Sequence, residues 1–214
     1  MTIRTPWPKL DRGLVAILRG VRPEEIVAVG GAIFAAGVTA IEVPLNSPQP
    51  FESIERLARH LPAALIGAGT VLSLQDVADL DAAGGQLMVS PNVDAAVIER
   101  ASGFGMATMP GVFSPTEAFA AIHAGASALK FFPASVLGTK GIAAIRAVLP
   151  AHTIIGAVGG VSDADFAGYA KVGVRLFGLG SSLYAPGVSA AEAGERARRA
   201  AAAWDAIHPD GANG

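Results

Sequence analysis

The chain has 214 residues, no cysteine, a formal net charge of −2 and an apolar content of 51% with few aromatics. These values exclude disulfides, thiolate metal sites and a cysteine nucleophile, and they argue against nucleic acid as a partner. A surplus of Ala, Val, Ile and Leu suits a helix-covered parallel sheet.

The opening MTIRTPWPKLDRG has no apolar core followed by a small-residue cleavage site, so no signal peptide is expected. The pattern then alternates short β-like runs with longer amphipathic segments. The runs are LVAILRG (14–20), AIEVPL (40–45), ALIGAGTV (64–71), LMVSPN (87–92), MATMPGV (106–112), ALKFFP (128–133), TIIGAVGG (153–160) and RLFGLGSS (175–182). Between them, segments such as PEEIVAVGGAIFAAG and PQPFESIERLARHL carry apolar residues at helical spacing. Gly37, Gly84, Gly125 and Gly173 stand where these helices should stop before the next strand. The tail HPDGANG is polar and Gly-rich and is expected to fray. No apolar run reaches the roughly 18–20 residues of a membrane span, so a cytoplasmic protein that does not engage membranes is expected.

Eight strands alternating with eight helices predict an α/β protein folded as a single (β/α)8 TIM barrel. No linker or charge block divides the chain. One domain over 1–214 is expected, with the barrel at about 14–206 and a polar tail at 207–214. An open doubly wound sheet is the alternative, but AILRGVRPEE lacks the GxGxxG fingerprint after the first strand.

Barrels of this kind keep their chemistry at the C-terminal ends of strands. The polar groups there are Arg19, Glu42 with Asn46 and Ser47, Thr70, Ser90 with Asn92, Lys130, Gly159 with Gly160, and Gly178, Gly180, Ser181 and Ser182. Lys130 is the one charge in ALKFFP. It could snorkel to the rim or pair with a carboxylate, or it could be desolvated by Phe131, Phe132 and Pro133 into the neutral amine that attacks a carbonyl. Glu42 is the one charge in AIEVPL. It reads either as a salt-bridge partner of Lys130 or Arg19, or as a general acid/base whose pKa burial raises.

The glycines after the last two strands offer backbone amides to an anion, which makes a phosphorylated substrate the expectation. Metal chemistry is not expected. His60, His123, His152 and His208 fall away from the strand ends, and Glu42 alone supplies a carboxylate.

The blocks AILRG, IEVPLNSP, GAGTVL, SPN, MPG, ALKFFPA, AVGG and GLGSSLY, from about Leu14 to Tyr184, resemble the small class I aldolases that cleave 2-keto-3-deoxy-6-phosphosugar acids. EVPLNSP and AVGG resemble the branch acting on the phosphogalactonate acid. The phosphogluconate branch carries EVTLRT and TGG, so Asn46 and Val158 stand where that branch has arginine and threonine.

The resemblance implies a cofactor-free, homotrimeric lyase acting on a small phosphorylated keto-deoxy sugar acid and yielding pyruvate and glyceraldehyde 3-phosphate. Lys130 would be the Schiff-base lysine and Glu42 the acid/base. Arg19 and Thr70 would hold the pyruvyl portion, and Gly159, Gly160, Gly180 and Ser181 the phosphate. The same chemistry on the gluconate epimer, or on both epimers, remains an alternative. More distant alternatives are a non-catalytic phosphosugar-binding barrel and a metal-dependent aldolase.

Overall fold

The computed structural model describes residues 4–208. The strands are β1 (Leu14–Ile17), β2 (Ala40–Pro44), β3 (Leu65–Gly69), β4 (Leu87–Val89), β5 (Ala107–Met109), β6 (Gly111–Val112), β7 (Leu129–Phe131), β8 (Ile155–Val158) and β9 (Leu176–Leu179). The helices are α1 (Ile26–Ala35), α2 (Pro50–His60), α3 (Leu74–Ala82), α4 (Ala95–Gly103), α5 (Pro115–His123), α6 (Ala134–Arg146), α7 (Phe166–Lys171) and α8 (Ala190–Ile207). A helix follows each strand except β5.

All strand pairs are parallel, in the order β5-β4-β3-β2-β1-β9-β8-β7-β6. Nine strands replace the expected eight because Pro110 interrupts the fifth run. A proline has no N–H to give a ladder. Its carbonyl still accepts from the Lys130 N–H at 2.9 Å, so β5 and β6 act as one bent strand position. The barrel therefore closes where β5 approaches β7.

That seam is held by a small polar lock. The Thr108 carbonyl accepts from the N–H groups of Ser127 and Ala128 at 3.1 and 3.0 Å. The Thr108 N–H donates to Ser127 Oγ at 2.9 Å, and the Ser127 N–H donates to Thr108 Oγ1 at 3.0 Å. Ser127 Oγ in turn donates to the Thr5 carbonyl at 2.6 Å, tying the N-terminal segment to the barrel.

Side chains alternate across the strands, producing two cores. Val15, Ile17, Leu87, Val89, Met109 and Leu176 belong to the inner one, which Trp7 and Leu10 also join. Leu14, Ala16, Leu129, Phe131 and Phe177 belong to the outer one, beneath the helices. There Phe177 stacks on Phe166 at 4.2 Å and meets the Trp204 edge at 5.9 Å.

Helix ends follow local chemistry. Ser73 with Asp76, and Ser114 with Glu117, form reciprocal caps. Gly37, Gly84, Gly125 and Gly173 all adopt positive φ where their helices stop, as expected. The observed strands are shorter than the sequence runs because the polar and glycine-rich ends of those runs are loops. Of the tail expected to fray, Pro209 to Gly214 lies outside the described residues, whereas His208 stacks on Trp204 at 4.1 Å.

Candidate active site

The C-terminal ends of the strands surround a cavity of about 550 Å³. Arg19, Glu42, Thr70, Lys130, Gly159, Gly160, Gly180 and Ser181, the eight residues singled out from sequence, all line it. Six strand positions converge to bring them together: β1, β2, β3, β7, β8 and β9.

Lys130 sits mid-strand in β7 with its side chain inward, 6% exposed. Its Nζ lies 4.7 Å from the centre of the Phe132 ring, an arrangement that favours a cation over an aromatic face. Desolvation is the largest force on the amine; opposed by Glu42 and aided by Arg19, it brings the pKa down to about 8. The ammonium thus dominates at pH 7, with the neutral amine a minority form. The expected wall of two phenylalanines needs correction. Alternation turns Phe131 into the outer core, so Phe132 alone of the pair shares the inner face with Lys130.

Glu42 points inward from β2 and is 2% exposed. Burial pushes its pKa up to about 7, against the opposing pull of Lys130, Arg19 and the Gly69 amide. Its carboxyl lies against Gly69, where a Cβ would fall 2.1 Å from Oε2. Among the described residues Glu42 forms no ion pair, and Oε2 has no hydrogen-bond partner. The salt-bridge reading is therefore not realised as a direct contact. A buried oxygen without a partner is unusual in a folded protein and calls for an explanation.

The cavity rim is shaped by backbone. Thr70 adopts φ 58, a conformation costing a β-branched residue on the order of 1–3 kcal/mol. Gly159 and Gly160 have φ 91 and 69. A Cβ on Gly159 would lie 3.1 Å from the Phe132 ring, and one on Gly160 would lie 2.5 Å from Ser135 Oγ. A Cβ on Gly180 would meet nothing within 4 Å, so that side of the pocket is open to a ligand. Ser182 Oγ donates to the Val161 carbonyl at 3.1 Å, joining the two glycine loops.

Other polar strand-end residues serve the loops instead. Ser90 donates to the Asn92 carbonyl at 2.7 Å, closing the turn after β4. Ser47 accepts from the Gly20 N–H at 2.9 Å. Arg19 donates to Asn46 Oδ1. Sequence reasoning missed Pro91, Tyr184 and Pro186 as cavity-lining residues. Their apolar bodies carry no chemical signal, and the irregular loops after β4, which holds Pro91, and after β9, which holds Tyr184 and Pro186, have no periodicity to place them. Among the described residues no three His, Asp or Glu side chains gather into a metal-binding group, and no helix is long and apolar enough to cross a membrane.

Comparison with known proteins agrees over nearly the whole chain. Residues 10–200 match the family model for the KDPG and KHG aldolases. A protein of Rhizobium meliloti (strain 1021) named "Probable 2-dehydro-3-deoxy-6-phosphogalactonate aldolase" is 60% identical over 206 residues, covering 96% of this chain and 97% of its own. The 2-dehydro-3-deoxy-6-phosphogalactonate aldolase of Escherichia coli (strain K12) is 47% identical, covering 89% and 92% respectively. A solved structure described as "Native KDPGal structure" superposes with a TM-score of 0.93 at 43% identity, covering 95% of this chain and 99% of its own.

Proposed function

The chain belongs to the KDPG and KHG aldolase family, and from that premise we propose that it cleaves 2-dehydro-3-deoxy-6-phosphogalactonate to pyruvate and glyceraldehyde 3-phosphate through a Schiff base on Lys130. The aldehyde-lyase activity follows from the family. The substrate is supported by the names of the two relatives and by Asn46 and Val158. The observation that carries the mechanism is the pair of buried, unpaired side chains Lys130 and Glu42 facing one cavity.

The neutral Lys130 amine attacks the C2 ketone, and loss of water from the carbinolamine leaves a protonated imine. Glu42, as carboxylate, takes the proton of the C4 hydroxyl. The C3–C4 bonding electrons move into the iminium, the aldehyde departs and an enamine remains. The Glu42 carboxyl returns its proton to C3, and water then hydrolyses the imine, freeing pyruvate and Lys130. Burial serves both groups: it lowers the cost of a neutral amine and holds the carboxyl near the pH at which it can both accept and donate.

Arg19 and Thr70 hold the pyruvyl end. The amides around Gly159, Gly160, Gly180 and Ser181 take the phosphate, fixing the scissile bond between two anchors. The resemblance also implies a homotrimer; exposed Leu72, Leu74, Phe113 and Val136 supply apolar surface for subunit contact.

Borohydride reduction in the presence of pyruvate should leave a stable adduct on the peptide bearing Lys130. Its absence would end the covalent mechanism. Side-by-side assay of the two C4 epimers should show faster cleavage of the galactonate acid; the reverse order would transfer the activity to the gluconate acid.

A further inference from the structure

Lys130 is buried on the inner face of β7, and among the described residues it forms no ion pair. The close partner it does have is a ring. Residues 130 and 132 project to the same side of the strand, and Nζ stands over the Phe132 ring, 4.7 Å from its centre. Both residues are fixed through their backbones. The Lys130 N–H donates to the Pro110 carbonyl at 2.9 Å, and the Phe132 N–H to the Val112 carbonyl at 3.1 Å. From the end of β8, Gly159 closes on the ring, where a Cβ would lie 3.1 Å from both Cδ2 and Cε2. Phe132 also lines the cavity. The ring thus has little freedom to leave the amine.

We infer that the π face of Phe132 is the electrostatic partner of the iminium on Lys130, keeping that nitrogen protonated in a pocket that otherwise expels charge. The inference rests on the proposed function, which supplies the imine. The imine nitrogen is Nζ itself, so it remains at the end of the same side chain, beside the same ring. Burial makes the amine easier to deprotonate, but it penalises every cation there, the iminium included. An imine is also the weaker base, because its sp2 lone pair is held more tightly. Loss of its proton would remove the positive charge that draws electrons out of the C3–C4 bond. A carboxylate in contact would keep that proton, but it would hold the resting amine as ammonium just as firmly. An aromatic face attracts a cation more gently and takes no proton from it.

Fluorination tests this, because each ring fluorine withdraws electron density from the π face while nearly preserving its shape. Position 132 of the full chain is filled in turn by phenylalanine and by its mono-, di- and trifluorinated forms. The readout is the pyruvate concentration giving half-maximal cyanoborohydride trapping on Lys130, on either side of the amine's pKa of about 8. Well above it, a neutral amine, pyruvate and one proton become an iminium and water, so charge appears under the ring. There the concentration should rise with each added fluorine, by roughly tenfold over the series. Well below it, ammonium and pyruvate become iminium and water with no change of charge. The contribution of the ring then cancels, and the concentration should stay within about twofold. Arg19, Glu42 and Tyr184, the other titratable groups lining the cavity, are common to the series, so comparison at one pH isolates the ring. An equal rise at both pH values would mean disturbed packing, and no rise at the higher one would reduce Phe132 to apolar wall. Either result overturns the inference. Phe132→Leu keeps apolar bulk without a π face and should show the same rise confined to the higher pH; its absence would overturn the inference equally. Failure of the unsubstituted protein to trap pyruvate at either pH would instead overturn the proposed function.

Discussion

The seam of the barrel and its mouth both bury polar groups, and they treat them in opposite ways. At the seam Thr108 and Ser127, 0% and 1% exposed, satisfy each other and Thr5. At the mouth Glu42 and Lys130 are almost as buried, yet among the described residues one carboxylate oxygen has no partner and no ion pair joins the two. At the seam, complete satisfaction holds the fold. At the mouth, the unpartnered Glu42 oxygen belongs to a residue lining the cavity, and the cost of leaving it so is carried by the rest of the molecule.

The sharpest way to break this contrast is to remove a charge at the mouth. Lys130→Met should abolish cleavage, since no imine can form. Glu42→Gln should slow cleavage by about 10²–10⁴-fold while leaving imine formation largely intact; equal loss of both steps would make Glu42 structural. The same substitutions should raise stability at neutral pH. Lys130 has a depressed pKa, so it contributes stability above its unfolded value near about 10.4 and loses it as pH falls through about 8. Glu42 has a raised pKa, so its contribution is present below about 4.3 and is lost as pH rises through about 7. Near pH 7 both charges therefore oppose folding, and Lys130→Met should gain about 1–3 kcal/mol in denaturant unfolding. A loss of that size would mean Lys130 stabilises the barrel.

The seam should respond in the other direction. Ser127→Ala orphans the Thr108 N–H and the Thr5 carbonyl, and should cost about 1–3 kcal/mol while leaving the pyruvate requirement for trapping unchanged. A change in trapping without a change in stability would erase the distinction between the two regions. The smallest expected effect is the pH profile. Cleavage needs the Glu42 carboxylate and the neutral Lys130 amine, so kcat/KM should climb from about pH 6 to pH 8. A rate falling with pH across that interval would reverse the assigned proton roles.

Much of this was legible because a barrel repeats one sequence pattern. A charge inside an apolar run, as at Glu42 and Lys130, is conspicuous, and glycine after a strand points to the loop that needs it. The unread parts depended on contacts between distant segments. Phe131 and Phe132 look alike in sequence, and only strand phase separates outer core from cavity wall. Pro110 breaks a continuous apolar run through a missing N–H. Asn46 meets Arg19 across 27 positions, the same separation that joins Ser47 to Gly20, and a polar loop residue gives no hint of its partner. Tyr184 and Pro186 come from an irregular loop whose course is set by tertiary packing.

Gly69 carries a consequence for how this protein can vary. Its missing side chain is the slot in which the Glu42 carboxyl lies, and any Cβ there would fall within 2.4 Å of all three carboxyl atoms. Even alanine would therefore have to displace the carboxyl. Position 69 and position 42 behave as a single mutational unit: drift at one is blocked while the other holds, and a library randomising the strand ends should recover glycine at 69 wherever it recovers glutamate at 42.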